Sequence, residues 1–394
     1  MKTKRIIALL LFVVMALSMA ACGSTGGDTT APSAAPADNG TSTPADNTSS
    51  DDHSDWIKAD WSFATFLTEK NPFQDNITAL QKNLDNYCEG TIQITTYPSG
   101  TLAGQSDMMD ALDNGTCELA YVQVDCFTNR FPVSQLANYP SLRVTSALAG
   151  SKIWKEFVET AQLEELDDYV VWLWQASGPT CFFTTNPVAS VADLQGLQIA
   201  ATGAISGNFV KSLGATPVTL DSSDVYEAIR NGLVSGKFGM FGAAAMSNLD
   251  EVASNALVIP TGNYVFLGLM KRDLFESMPA SQQEAFLKAA EETFNTTTIY
   301  YQDAGLAGNP RVAECVANSN LVFADDALTD EMLASAAPMV EDYIQSLNDQ
   351  GYDGQGYYDL LCEIAEKYNQ EFTWEQYQEC YYDASYFAGT YPAE

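Results

Sequence analysis

Between about residue 73 and residue 347, the apolar residues of this chain repeat first with the spacing of a helix and then with that of a strand. Phe73, Ile77 and Leu80 follow a helical period of about 3.6 residues. Ile92 and Ile94 instead alternate with polar residues, as in a strand. Alternation of helix and strand over this length is typical of sheets with helices on both faces. The sequence therefore predicts the α/β fold class.

The same periodicity gives the individual elements. Strands are predicted over residues 91–97, 118–124, 169–175, 198–201 and 264–270. Helices are predicted over residues 73–87, 105–113, 205–213, 225–232, 281–301 and 333–347. Residues 281–284 (SQQE) have the pattern of a capping box, which predicts that Ser281 caps the helix that follows. Because there is no internal repeat and no second linker, two lobes interleaved along the chain are expected.

Composition excludes several classes of function. The 394 residues include 18 Lys+Arg against 51 Asp+Glu, a formal net charge of −33. Neither phosphate backbones nor anionic headgroups attract such a chain, so no nucleic-acid partner is predicted. His53 is the one histidine, so a Ser-His-Asp triad requires His53 itself to supply the imidazole, and a site with several histidine ligands cannot form. No P-loop or dinucleotide-binding pattern is present, and we predict no cofactor and no metal.

Residues 1–22 have the layout of a lipoprotein signal peptide. Lys2, Lys4 and Arg5 precede an apolar run that ends near residue 19. The run leads into LSMAAC, which resembles a bacterial lipobox and places small residues before Cys22. We predict that Cys22 is lipidated and anchors the protein to the outer face of the cell membrane. An ordinary secretory peptide with an incidental cysteine is the alternative.

Residues 23–55 contain Ser, Thr, Ala, Pro, Gly and Asp but no large apolar side chain. Such a segment cannot bury enough surface to fold, and we predict a disordered tether. His53 falls within it and is predicted to be inert, with the folded part beginning near Trp56. Seven cysteines follow Cys22 without a metal-binding spacing, and Cys362 and Cys380 are the candidate disulfide pair.

Three blocks of sequence resemble a known family. They are residues 89–104 (EGTIQITTYPSGTLAG), residues 190–199 (SVADLQGLQI), and the pair 213–218 (LGATPV) and 224–232 (DVYEAIRNG). In order and separation they are similar to the signature segments of the DctP-type family, the extracytoplasmic solute receptors of TRAP transporters. The resemblance runs from about residue 61 to residue 343.

The resemblance implies a two-lobed clamshell, like that of periplasmic binding proteins, with a long lobe-spanning helix and one ligand held between the lobes. It also implies no chemistry on the ligand and, as partners, a small and a large membrane permease subunit. The resulting domain prediction is signal peptide 1–22, tether 23–55, lobe I 56–177 and 266–305, lobe II 178–265 and 306–350, and a C-terminal aromatic-rich helical extension 351–394.

The chain departs from the family pattern at two positions. Members usually carry an arginine where this sequence has Ala200, and often a second where it has Thr180. A guanidinium at these positions would pair with a ligand carboxylate. Without one, burying a carboxylate costs several kcal/mol. Either the ligand is not a simple carboxylate, or another cation such as Arg143 or Arg230 replaces the missing ones; we favour the first.

Aromatic and amide side chains dominate the remaining candidate positions, which suits a small neutral or aromatic solute. The predicted ligand-binding residues are Phe66, Gln105, Gln123, Thr180, Phe182, Ala200, Asn208, Phe238, Phe241 and Tyr264. For each aromatic residue, ordinary core packing is the competing interpretation.

The C-terminal extension is rich in Tyr and Trp. Residues 373–376 (TWEQ) can cap a helix on which Tyr377 and Tyr381 share a face. We predict that it packs on one lobe; a contact with the permease or a second copy is the alternative. There are two alternative functions. One is a surface-anchored hydrolase that uses two acidic residues in the cleft between the lobes, and the other is a sensory or adhesion lipoprotein that works without a permease.

Overall fold

The computed structural model describes residues 53–69, 71, 73–220, 224–262, 264–298 and 309–381. The predicted signal peptide, Cys22 and most of the predicted tether lie outside these residues. The described part begins at His53, slightly before the predicted start. The His53 ring stacks on Trp56 at 3.8 Å between centroids, and its Nδ1 lies 3.0 Å from Glu89 Oε1. Through these contacts His53 belongs to the folded part of the chain rather than to the predicted tether.

Strands and helices alternate, as the periodicity predicts. The strands are β1 (Ala59–Ala64), β2 (Ile92–Tyr97), β3 (Leu119–Gln123), β4 (Tyr169–Ala176), β5 (Thr180–Thr184), β6 (Gln198–Ala201), β7 (Thr216–Thr219), β8 (Gly236–Met240), β9 (Asn255–Ile259), β10 (Val265–Lys271) and β11 (Asn320–Phe323). The α-helices are α1 (Gln74–Tyr87), α2 (Met108–Asp113), α3 (Ala147–Ala161), α4 (Ala204–Ser212), α5 (Val225–Arg230), α6 (Phe241–Met246), α7 (Arg272–Glu276), α8 (Ala280–Thr293), α9 (Pro310–Asn318), α10 (Asp326–Asp349), α11 (Gly354–Glu371) and α12 (Trp374–Cys380).

The strands form two mixed sheets, one in each lobe. Lobe I has the order β2-β1-β3-β10-β4, in which β10 runs antiparallel to both of its neighbours. Lobe II has the order β11-β9-β5-β8-β6-β7, in which β5 runs antiparallel to β8 and β9. The two-lobed α/β fold predicted from the sequence is confirmed.

The chain crosses between the lobes at two short connections. Residues 177–179 lead from β4 to β5, and residues 260–264, of which residue 263 is not described, lead from β9 back to β10. The two connections are bonded to each other, because Ser177 N donates to the carbonyl oxygen of Tyr264 and Tyr264 N donates to Ser177 Oγ, at 2.9 and 3.0 Å. Paired connecting segments of this kind are where a hinge motion between lobes would occur.

Helix α10 spans both lobes. It has 24 residues, a length of about 36 Å at 1.5 Å per residue. Met332 and Ala336 in its first half pack in a lobe II cluster, whereas Ile344 and Leu347 in its second half pack in a lobe I cluster. The resemblance implied a lobe-spanning helix, and α10 has that placement. The predicted boundaries assign residues 306–350 to lobe II as a whole, but the second half of α10 packs with lobe I.

The C-terminal helices also join the two lobes. In α11, Leu361 and Ile364 are buried in the lobe I cluster against α3. In α12, Trp374 and Tyr377 are buried in a lobe II cluster, and only Phe372 and a single capping residue separate the two helices. The expectation of packing on one lobe was therefore incomplete. The capping box of residues 373–376 is formed, as predicted.

Two local predictions were wrong. Helix α8 begins at Ala280 after Pro279, with no side-chain cap, because Ser281 Oγ instead accepts a hydrogen bond from Trp56 Nε1 at 2.8 Å. Cys362 is a free thiol next to the Tyr358 hydroxyl, so the suggested bond to Cys380 does not form. Within the described residues, no helix is both long and apolar enough to cross a membrane.

Candidate functional site

A narrow crevice lies where the two lobes meet, next to the crossing connections. Lobe I, lobe II and the second connection all contribute to its wall, which is lined by Asp125, Asn138, Pro140, Thr180, Ile205, Ser206, Phe238, Gly262 and Tyr264. The cavity volume is about 10 Å³, close to what one water molecule needs. The structure therefore shows the lobes in a closed arrangement, and a solute would enter only after they part.

One hydrogen bond connects the lobes directly across the crevice. The Tyr264 ring packs in a buried cluster of lobe I, and its hydroxyl lies 2.8 Å from Ser206 Oγ on α4 of lobe II. Burial raises the pKa of Tyr264 to about 12, so the hydroxyl keeps its proton at neutral pH. The pair is thus a neutral contact between the two lobes.

Lobe II supplies an aromatic and a hydroxyl side chain from adjacent strands. Phe238 on β8 lies opposite Phe182 on β5, with ring centroids 4.8 Å apart, and Phe209 of α4 lies 5.1 Å from Phe238. Phe238 is the member of this group that reaches the crevice. Thr180 begins β5, and its hydroxyl donates to the carbonyl oxygen of Thr261 at 2.6 Å. Packing therefore holds the Phe238 ring in place, and a hydrogen bond to the second connection holds the Thr180 hydroxyl.

Lobe I supplies a carboxyl group. Asp125 follows β3 on a short 3-10 turn, Val124–Phe127, and points into the crevice. Burial raises the pKa of Asp125 above its usual range, and a hydrogen bond from Gln123 partly offsets this effect. Gln105 Nε2 in turn donates to Gln123 Oε1 at 2.6 Å. The side chains of Gln105 and Gln123 therefore form a short chain of hydrogen bonds that orients the Asp125 carboxyl group.

No lysine or arginine is among the described residues that line the crevice. Arg143, one candidate replacement, pairs with Asp326 at 2.6 Å and with Asp330 at 2.9 Å. Arg230, the other candidate, pairs with Glu227 at 2.5 Å on an exposed helix face. Neither lines the crevice, so nothing in its described wall replaces the arginines that the family resemblance would place there.

The sequence-predicted residues fall into three groups. Thr180, Phe238 and Tyr264 line the crevice. Gln105 and Gln123 lie behind it and reach it through Asp125. The others lie elsewhere in the structure.

Three of these others are in the lobe II core. Phe182 and Ala200 are almost fully buried within the sheet, and Phe241 packs on Phe183 at 5.1 Å and on Tyr381 at 5.0 Å. They do not line the crevice, because both faces of this sheet are covered and their side chains are enclosed.

The last two are on other surfaces. Phe66 is half-buried against the Tyr121 ring at 5.6 Å. Asn208 lines a separate, more open groove of about 580 Å³ together with Lys211 and Tyr343. This groove is larger than the crevice, but it lies along α4 and α10, away from the crossing connections.

Sequence reasoning missed Asp125, Asn138 and Ser206. Asp125 had a usable signal, since it follows the strand that ends at Gln123, a residue the sequence did select. Asn138 and Ser206 had none, because only the approach of the two lobes brings them together.

The crevice lies in a part of the chain that matches a known protein family. The family model of bacterial extracellular solute-binding protein, family 7 (DctP), matches residues 63–309. The chain belongs to this family. The DctP match begins within β1 and ends before β11, and it contains the other nine strands and every residue that lines the crevice.

Individual relatives are distant. A solute-binding protein of Albidiferax ferrireducens is 22% identical over 245 residues, which is 60% of this chain and 71% of the relative. The ectoine/5-hydroxyectoine-binding periplasmic protein UehA of Ruegeria pomeroyi is 20% identical over 270 residues, 66% of this chain and 78% of its own length.

Solved structures share the fold. A TRAP periplasmic solute-binding protein from Desulfovibrio salexigens superposes with a TM-score of 0.70 at 24% identity, covering 79% of this chain and 97% of its own. One from Rhodoferax ferrireducens, in complex with copurified benzoate, superposes with a TM-score of 0.69 at 20% identity, covering 80% and 100%. The predicted DctP-type solute receptor is thereby confirmed at the level of family and fold.

Proposed function

We propose that this DctP-family chain is the extracytoplasmic receptor of a TRAP-type secondary transporter. It captures a small neutral or aromatic solute between its lobes and delivers it to a membrane permease with a small and a large subunit. The observation that carries this proposal is the inter-lobe crevice, which combines the rings of Phe238 and Tyr264 with hydroxyl and amide groups. A solute that contacts both lobes stabilises the closed form, which is the form that would dock on the permease.

The ring-lined wall supports an aromatic solute. One solved relative holds benzoate, and another is described as specific for aromatic acid ligands, with 3-hydroxybenzoate bound. Both of those ligands carry a carboxylate. In this chain Thr180 and Ala200 stand where the resemblance would place the arginines. We therefore propose that the solute has an aromatic ring but does not need an acid group.

The membrane attachment is part of the same proposal. Lipidation at Cys22, followed by a tether over residues 23–55, would hold the receptor near its permease while leaving the lobes free to move. The membrane contact is through this anchor only, and no nucleic acid or cofactor takes part.

The alternatives are less well supported. A carboxylate-dependent hydrolase requires two acids in the crevice, and among its described lining residues Asp125 is the only carboxyl. A sensory or adhesion lipoprotein would lack a permease. Genes for two integral-membrane permease subunits beside the gene for this chain would support transport instead.

A thermal-shift panel on the purified protein tests the solute class. Benzyl alcohol and benzoate form a matched pair with the same ring, together with neutral aromatic amides and simple mono- and dicarboxylates. A ligand at about 100 times its dissociation constant stabilises a protein by about 2.7 kcal/mol. We expect the neutral aromatic compounds to raise the melting temperature more than the acids do. A shift with benzoate but none with benzyl alcohol would contradict the proposed solute class.

A further inference from the structure

Among the described residues that line the crevice, Asp125 is the only one with a carboxyl, amino or guanidinium group that can carry a charge. Its described surroundings contain hydrogen-bond donors but no cation. Gln123 donates to the carboxyl group, and the Cys126 thiol lies 4.0 Å from Oδ1. Within the described residues Asp125 takes part in no ion pair, in contrast to Asp113 and Asp250, which pair with arginines outside the crevice.

Lobe II brings a favourable dipole to this carboxyl group. Gly203, with φ +82°, is the N-cap of α4, and a Cβ built on it would lie 3.7 Å from Asp125 Oδ2. The start of a helix carries a partial positive charge, which favours a nearby anion. Asp125 therefore already occupies the electropositive feature on this side of the crevice, where the carboxylate of a solute would otherwise be attracted.

Aromatic rings border the same space. Phe238 and Tyr264 line the cavity that Asp125 faces. An aromatic face attracts an organic cation within about 6 Å, and the attraction is stronger when water is excluded. A carboxylate with two neighbouring rings suits a cation that is attached to an apolar body. The formal net charge of −33 on the chain also favours the approach of cations over anions.

We propose that the solute of this crevice carries a protonated amine, which donates to Asp125 while the apolar part of the solute packs against Phe238 and Tyr264. This inference rests on the proposed receptor function and narrows its solute to arylalkylamine-like compounds. The ammonium group supplies the charge that the closed crevice lacks, because burying an ionised carboxyl group without a cation is costly. In the free protein that cost opposes closure, and the bound amine removes it.

The test compares three compounds that share a phenyl ring and a two-carbon spacer: phenethylamine, 2-phenylethanol and 3-phenylpropanoate. Isothermal titration calorimetry on the full chain at neutral pH measures each affinity. A charged hydrogen bond should give the amine an advantage of about 10-fold to 100-fold over the alcohol, with the carboxylate weakest. Asp125→Asn should abolish this advantage, because it removes the charged acceptor and so weakens the binding of the amine more than that of the alcohol.

Two variants make the result specific. Asp125→Glu keeps the charge and should preserve the order of the three affinities. Asp326→Asn removes one exposed negative charge outside the crevice and should change each affinity by less than about 2-fold, because exposed charges are screened. Thermal unfolding of each variant verifies that it folds.

The outcomes separate this inference from the proposed function. If the alcohol or the carboxylate binds more tightly than the amine, the amine assignment is overturned and the receptor function stands. Absence of binding by all three compounds also overturns it, and the receptor function then depends on the wider thermal-shift panel. An amine preference that survives unchanged in Asp125→Asn would overturn the role of Asp125.

Discussion

Replacing Trp374 by alanine should lower the free energy of unfolding by about 3–5 kcal/mol, as expected for the loss of a buried tryptophan. The indole is 7% exposed and stacks on Tyr377 with 5.6 Å between ring centroids. It packs edge-on against Phe323, and its Nε1 donates to the carbonyl oxygen of Ala324 at 2.9 Å. Urea unfolding measures the effect.

The matched control for this variant is on the same helix. Glu379 is exposed in α12, and Glu379→Ala should change stability by no more than about 0.5 kcal/mol. A similar, small effect for both variants would mean that α12 is only loosely attached to lobe II. The large difference that we expect follows from the position of α12, which lies in the lobe II core although α11 packs on lobe I.

Phe241→Ala should be comparably destabilising, by about 3–5 kcal/mol, because the ring is 2% exposed and packs on Phe183 and Tyr381. The sequence suggested that Phe241 contacts the solute. In the structure it supports the lobe II core, so the variant should unfold at lower urea concentration in the absence of any solute. Tyr264→Phe, which removes only the hydroxyl bonded to Ser206, is the matched crevice variant and should cost less than half as much, about 1–2 kcal/mol.

A contrary result has a clear meaning. If Phe241→Ala leaves the solute-free protein as stable as the unmodified chain but weakens solute binding, the ring belongs to the crevice after all. Together, Trp374→Ala and Phe241→Ala test whether aromatic packing from both its own sheet and the C-terminal extension stabilises lobe II.

The sequence predicted elements well where one physical signal dominated. Strand β6 matches the predicted residues 198–201, and β4 differs from the prediction by one residue at its end. The capping box before α12 formed, and in it the side chains of Thr373 and Gln376 each accept a hydrogen bond from the other residue's backbone N–H. The one predicted before α8 did not, because Trp56, far away in sequence, takes the Ser281 hydroxyl. Local patterns do not contain such long-range competitors.

The site was harder to predict for a related reason. Phe182 and Phe183 are neighbours on β5 and point to opposite faces, but both faces of the lobe II sheet are covered. Their apolar character therefore does not tell which ring, if any, reaches the crevice. Phe238 reaches it because of where β8 ends relative to lobe I. The pairing of Asp125 with the start of α4 also depends on how two distant segments approach each other.

We infer that a solute binds between the lobes without an arginine or lysine partner. A crystal structure of the protein with the compound that stabilises it most would show which groups contact the solute. We expect electron density for the compound between Phe238 and Tyr264, with no guanidinium or ammonium group of the protein within hydrogen-bonding distance. A compound whose carboxylate pairs with a lysine or arginine of the protein, or one that sits in the groove beside Lys211, would contradict it.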